Sequence, residues 1–151
     1  MSVKKKILKY IFKKEEAWSY VETLIVIAII LILTATVGIM AIKNLEKARV
    51  AGAQTQIESF STALEAYYID NGVYPSTEQG FSALRKEPGT FPIPKNWDGP
   101  YLLKDAPKDP WGNDYEYLRP GPDGYDYGIR SFGADGIEGG EGKDSDITSW
   151  N

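Results

Sequence analysis

From Thr23 to Ile42 the chain reads TLIVIAIILILTATVGIMAI, twenty residues without a charged side chain. As an α-helix rising about 1.5 Å per residue, such a run is roughly 30 Å long, the thickness of a bilayer's hydrocarbon core. The rest of the chain is too small to cover it on every side, so it must meet lipid or identical helices from other copies. A chain of 151 residues has room for this membrane element and one compact domain, but not for two domains with full cores. Charge sets the orientation. Residues 1–17 hold six lysines (Lys4, Lys5, Lys6, Lys9, Lys13, Lys14) and two glutamates, whereas the whole chain carries −4. A basic flank of this kind stays cytoplasmic, which puts the acidic remainder across the membrane and argues against nucleic-acid binding.

A cleaved secretory signal fits poorly, because its apolar core is usually about 7 to 15 residues, whereas this run continues into Lys43 and a further helix. A plain signal anchor explains the span and its orientation. It does not explain Glu22, which stands immediately before the apolar run. A carboxylate carried to the bilayer centre costs about 2.5–3.5 kcal/mol, and less at the interface, so its presence marks a function and calls for a partner. Cutting the chain just upstream would supply one, a new ammonium group.

The junction Ala17-Trp18-Ser19-Tyr20-Val21-Glu22, followed by an apolar helix, resembles the leader junction of type IV pilins and type II secretion pseudopilins. The resemblance implies that prepilin peptidase cuts between Ala17 and Trp18, that the exposed amine of Trp18 is N-methylated, and that Glu22 pairs with such an amine on a neighbour during assembly. Ala17 replaces the family's usual Gly, and Trp18 its usual Phe. The implied layout is a cytoplasmic leader over 1–17, a transmembrane and assembly half of the helix over 18–42, and a periplasmic domain over 43–151.

Beyond Ile42 the pattern becomes amphipathic: Leu45, Ala48, Val50, Ala53, Ile57, Phe60, Leu64 and Tyr67 recur mostly at helical spacing between polar residues. One long helix is therefore expected, leaning on a domain through this stripe and stopping at Asn71-Gly72 before Pro75. Gly38 can loosen the helix locally. Ser76 and Gln79 form a capping pattern for a short helix over 77–86, within an otherwise ordered loop reaching Pro110. Residues 114–131 alternate apolar and polar positions around Pro-Gly-Pro-Asp-Gly, which reads as a β-hairpin. Trp111 and Tyr115 read as core aromatics. The fold class is α+β, a long N-terminal helix packed on a small antiparallel sheet.

The C-terminal stretch GADGIEGGEGKDSDI crowds Asp135, Glu138, Glu141, Asp144 and Asp146 among glycines. Like charges at this density repel unless something offsets them. The loop can offer a hard cation such as Ca²⁺ its preferred six to eight oxygens at about 2.3–2.6 Å, and suits Mg²⁺ less well. It lacks EF-hand spacing, and a solvated acidic loop is the competing reading. With no histidine and no cysteine in the chain, thiol chemistry and a histidine base are excluded. No P-loop or G-x-S-x-G motif marks an enzyme.

Three further segments, YPSTEQGFSAL (74–84), DPWGNDYEY (109–117) and SFGADGIEGGEGKDSDI (131–147), are similar to segments of the major pseudopilin of type II secretion systems, in the same order. This resemblance implies one structural Ca²⁺ held by Asp135, Asp144 and Asp146 with the carbonyls of Phe132 and Ile137. It also implies a non-enzymatic role: a homopolymeric periplasmic fibre anchored from the inner membrane, working with minor pseudopilins and the inner-membrane secretion platform to export folded proteins. A type IV pilus subunit and an anchored periplasmic calcium-binding module are the alternatives.

Overall fold

A computed structural model of the chain describes residues 19–150. Helix α1 spans Tyr20–Asn71, 52 residues without interruption, and it is the one described helix long and apolar enough to cross a membrane. The chain divides after Lys43 into two units. In the first, the helix has no covered face: Leu24, Ile30, Leu33, Ile39 and Ile42 are all exposed. Gly38 lies within unbroken helix.

In the second unit the amphipathic stripe is buried, though later than its periodicity suggests. Leu45 and Ala48 remain exposed and Val50 is half-buried, while Ala53, Ile57, Phe60, Leu64 and Tyr67 are buried. Full burial of the helix begins only at Ala53. Phe60 stacks on Phe81 with ring centroids 4.2 Å apart and meets Tyr115 edge-on at 5.3 Å. Such aromatic pairs stabilise by about 0.5–1.5 kcal/mol beyond the area they bury. The helix ends as expected: the Gly72 N–H reaches the Tyr68 carbonyl at 2.7 Å, and Asn71 Nδ2 donates to the Tyr67 carbonyl at 2.9 Å.

The capping pattern at Ser76 forms in both directions, with Ser76 Oγ accepting from the Gln79 N–H at 3.3 Å and Gln79 Oε1 accepting from the Ser76 N–H at 2.9 Å. The capped segment is not an α-helix over 77–86 but a turn and a short 3₁₀ helix, Gly80–Leu84. Gly80 has φ +52°, so the right-handed α geometry is interrupted where the helix would propagate. The connection to Pro110 is ordered loop, tied back by the Tyr101 and Leu102 N–H groups on the Leu84 carbonyl and by Trp97 Nε1 on the Ala83 carbonyl.

The hairpin is present. Strand β1 (Glu116–Leu118) pairs antiparallel with β2 (Gly128–Ser131) in the register Glu116↔Arg130, Tyr117↔Ile129 and Leu118↔Gly128. Tyr117 and Ile129 face the core, completing it against Phe60 and Leu64. A third strand, β3 (Ile147–Thr148), adds on the far side of β2 and gives the sheet order β1-β2-β3. It was not expected, because two residues within an Asp- and Gly-rich stretch carry no alternation to read. Tyr115 belongs to the core, but Trp111 does not. It is half-buried, and its indole N–H donates to Glu46 Oε1 at 3.0 Å.

Candidate functional site

Two places carry the residues singled out by sequence. The first is the start of α1. Ala17 and Trp18, the expected processing residues, lie outside the described residues. Ser19 caps the helix, its Oγ accepting the Glu22 N–H at 3.2 Å. Glu22 thereby occupies the third helical position, where exposed N–H groups and the positive end of the helix dipole favour a carboxylate. Sequence reasoning gave Glu22 a charge partner and missed this local role, although Ser-x-x-Glu before an apolar run is itself a capping signature. The two roles are compatible, because the cap uses the Glu22 backbone and leaves its carboxylate available.

The second place is the acidic loop after β2. Its base is built by Asp109, which the DPWGN turn holds at 5% exposure. Asp109 Oδ1 accepts the N–H groups of Trp111 and Asn113 at 3.0 and 2.8 Å, and Oδ2 accepts the Ser131 hydroxyl at 2.6 Å. Asn113 Nδ2 in turn donates to the Gly133 carbonyl at 3.0 Å. This explains the chemistry of the motif: a buried carboxylate survives because its lone pairs are satisfied, and the same bonds fix where the loop leaves the sheet.

Within the loop, Asp135 Oδ1 accepts the Ile137 N–H at 3.1 Å, Asp144 Oδ1 pairs with Lys143 Nζ at 2.7 Å, and Asp146 Oδ2 accepts the Gly139 N–H at 3.1 Å. Hydrogen bonding to Asp144 raises the Lys143 pKa. Among the described residues no three acidic side chains converge into a ready metal cage. Two features nonetheless fit a hard cation. Asp146 Oδ1 is buried without a hydrogen-bond partner, which is costly for a carboxylate oxygen unless something positive reaches it. At Gly133 a Cβ would stand 2.8 Å from the Ser145 carbonyl oxygen, so glycine alone lets the two ends of the loop approach. The donor set, carboxylates and carbonyls without nitrogen or sulfur, is that of Ca²⁺.

The residue that sequence reasoning missed is Arg130. Its Nε and Nη2 donate to Glu116 Oε2 at 3.0 and 2.6 Å, and its Nη1 donates to Glu138 Oε1 at 2.6 Å. Asp146 Oδ2 lies 3.6 Å from Nη1, and the Phe132 ring lies 4.6 Å from the guanidinium carbon. Burial alone would lower the guanidinium pKa, but its bonds to Glu138 and Glu116 reverse that and raise it. The signal was present, since Arg130 is the sole cation between Arg119 and Lys143.

Comparison with known proteins supplies the family. The family model described as Type II secretion system (T2SS), protein G matches residues 40–150. The Type II secretion system core protein G of Pseudomonas aeruginosa is 41% identical over 139 residues, covering 92% of this chain and 97% of its own. That of Vibrio cholerae is 43% identical, covering 92% and 94%. The crystal structure of the major pseudopilin from the type 2 secretion system of enterohaemorrhagic Escherichia coli superposes with a TM-score of 0.61 at 38% identity, covering 71% of this chain and 90% of that one. These similarities select the secretion fibre over the type IV pilus subunit and the anchored calcium module. The chain belongs to the type II secretion system protein G family, the major pseudopilins, and is a structural subunit of the pseudopilus.

Proposed function

We propose that the chain is made as a precursor whose cytoplasmic leader, residues 1–17, is removed by prepilin peptidase between Ala17 and Trp18. Trp18 is then N-methylated, which keeps the positive charge of its amine. The mature subunit waits in the inner membrane through residues 18–42 with its C-terminal domain in the periplasm. It then joins a homopolymer together with minor pseudopilins and the inner-membrane secretion platform, and growth of the fibre helps folded proteins through the outer membrane. Glu22 of one subunit neutralises the Trp18 amine of another. The observation that carries this reading is Glu22 itself, capped into the first turn at the head of twenty uncharged residues in a chain of this family. Breaking one partner of a desolvated ion pair costs about 3–5 kcal/mol, which makes such a pair a register mark for assembly. Mass spectrometry of the mature chain is the test: a mass beginning at N-methyl-Trp18 is expected, and an intact Met1 overturns the processing reading.

The acidic loop we assign to one structural Ca²⁺, with Asp135, Asp144 and Asp146 as the carboxylate ligands and Phe132 and Ile137 offering carbonyls. Bound there, the ion would supply charge neutralisation and nothing reactive. Asp146 is the strongest support, with its buried and unpartnered Oδ1; Asp144 has to exchange Lys143 for the ion. Because the ion binds the folded loop, its removal lowers stability by mass action. The thermal midpoint of the domain is therefore expected to fall in excess chelator, and an unmoved midpoint contradicts calcium.

A further inference from the structure

We infer that Arg130, on β2, is the cation that ties the acidic loop to the sheet: a positioning residue whose guanidinium holds Glu138 and Asp146 against the sheet through contacts that do not involve a metal ion. The three carboxylates it gathers come from separate parts of the chain. Glu116 lies on β1, Glu138 at the loop tip, and Asp146 just before β3. The guanidinium side chain is only 12% exposed, while its partners range from 16% at Asp146 to 74% at Glu138. An exposed ion pair contributes little by itself, but one largely buried fork shared by several carboxylates is different. Removing it leaves acceptors facing one another across the sheet edge with nothing between them. Only arginine presents donors in several fixed directions at once, which the bonds from Nε and Nη2 to Glu116 and from Nη1 to Glu138 both use.

The consequence reaches Asp146. The guanidinium lies beside its Oδ2, which also accepts the Gly139 N–H, so both neighbours of this side chain sit on one oxygen and Oδ1 is left unpartnered. The orientation of the Asp146 carboxylate is thus set by protein groups on Oδ2. This inference does not rest on the calcium reading, and its experiment is done with metal removed.

The test is limited proteolysis of the full chain in detergent micelles with excess chelator, tracking trypsin cleavage after Lys143, inside the loop. Arg130→Met is expected to be cut there roughly tenfold faster than the unaltered chain, the ratio that about 1.4 kcal/mol of local opening free energy produces. Arg130→Lys, which keeps the charge but loses the fork, is expected to fall between the two. Cleavage after Lys86 and Lys104, far from the loop in sequence, should be unchanged. Equal rates at Lys143 in Arg130→Met and the unaltered chain overturn the inference. So does an acceleration shared equally by all three lysines, which reports general loss of stability. Calcium titration of the unaltered chain reports separately on the metal reading.

Discussion

The two halves of α1 are one helix with opposite solutions to the same problem. Between Ala53 and Tyr67 a single stripe is buried and the residues between are polar, so the helix has one preferred neighbour, the domain to which it belongs. Between Thr23 and Ile42 every face is apolar and exposed, so no single neighbour can satisfy it. A stripe specifies a fold, whereas uniform apolarity specifies an environment: lipid first, and then other copies. Such an environment offers no preferred rotation or register, and Glu22, the charge at its head, is the feature that can impose one. The largest expected effect is therefore at this residue. Glu22→Leu should insert and be processed as before but lose most fibre assembly, scored as sheared fibre per unit of membrane-inserted subunit. Unaltered fibre yield would mean that apolar packing alone sets the register, and the contrast between the halves would lose its basis.

Substitutions within each half sharpen the contrast. Phe60 has no exposed surface and touches Phe81 and Tyr115, so Phe60→Ala removes a ring that the domain cannot replace. A loss of about 3–5 kcal/mol in domain stability is expected. Leu33, 59% exposed, contributes nothing to that core, and Leu33→Ala should leave the domain's denaturant midpoint where it was while weakening assembly. A shift of that midpoint by Leu33→Ala would show that the two halves are energetically one.

How far each half was legible depends on the same difference. The apolar run, the stripe from Ala53 to Tyr67, the stop at Asn71-Gly72 and the hairpin were readable because each repeats a local period or turn chemistry. Three features were not. The stripe's exposed start at Leu45 and Ala48 depends on how far the domain reaches, which no residue there encodes. Strand β3 is two residues long and exists only because β2 offers it an edge. Arg130 was overlooked because its three carboxylates lie 14 residues upstream and 8 and 16 residues downstream, and only the fold gathers them. In the acidic loop the abundance of negative charge was plain, but what offsets it was a question of geometry.

Alkali should separate the halves by a different route. The domain packs its tyrosines together, and burial pushes the Tyr115 hydroxyl from an ordinary 10.0 up to about 12. Burial likewise raises Tyr117, and Tyr74 is raised by burial and by its hydrogen bond to Glu65. A phenol whose folded pKa is raised contributes stability that is complete below the unfolded value near 10 and is lost as pH climbs toward 12. Between those limits, the tyrosinate absorbance contributed by Tyr74, Tyr115 and Tyr117, read as the difference from variants carrying Phe at these positions, should rise together with loss of the domain's near-ultraviolet dichroism. The apolar run from Thr23 to Ile42 contains no tyrosine, and its helix in micelles should persist. Ionisation of Tyr115, Tyr117 and Tyr74 in a domain that stays folded would contradict the burial.

The smallest effect distinguishes the two roles of Glu22. Ser19→Ala removes the oxygen that accepts the Glu22 N–H, which costs about 1 kcal/mol in a typical helix start. Amide exchange at Glu22 should then be roughly fivefold faster, as that free energy requires. The carboxylate is untouched, so if its charge is what matters in assembly, fibre yield should fall far less than in Glu22→Leu. If Ser19→Ala abolishes fibres as completely, then the first turn, and not the charge beyond it, is what a neighbouring subunit recognises.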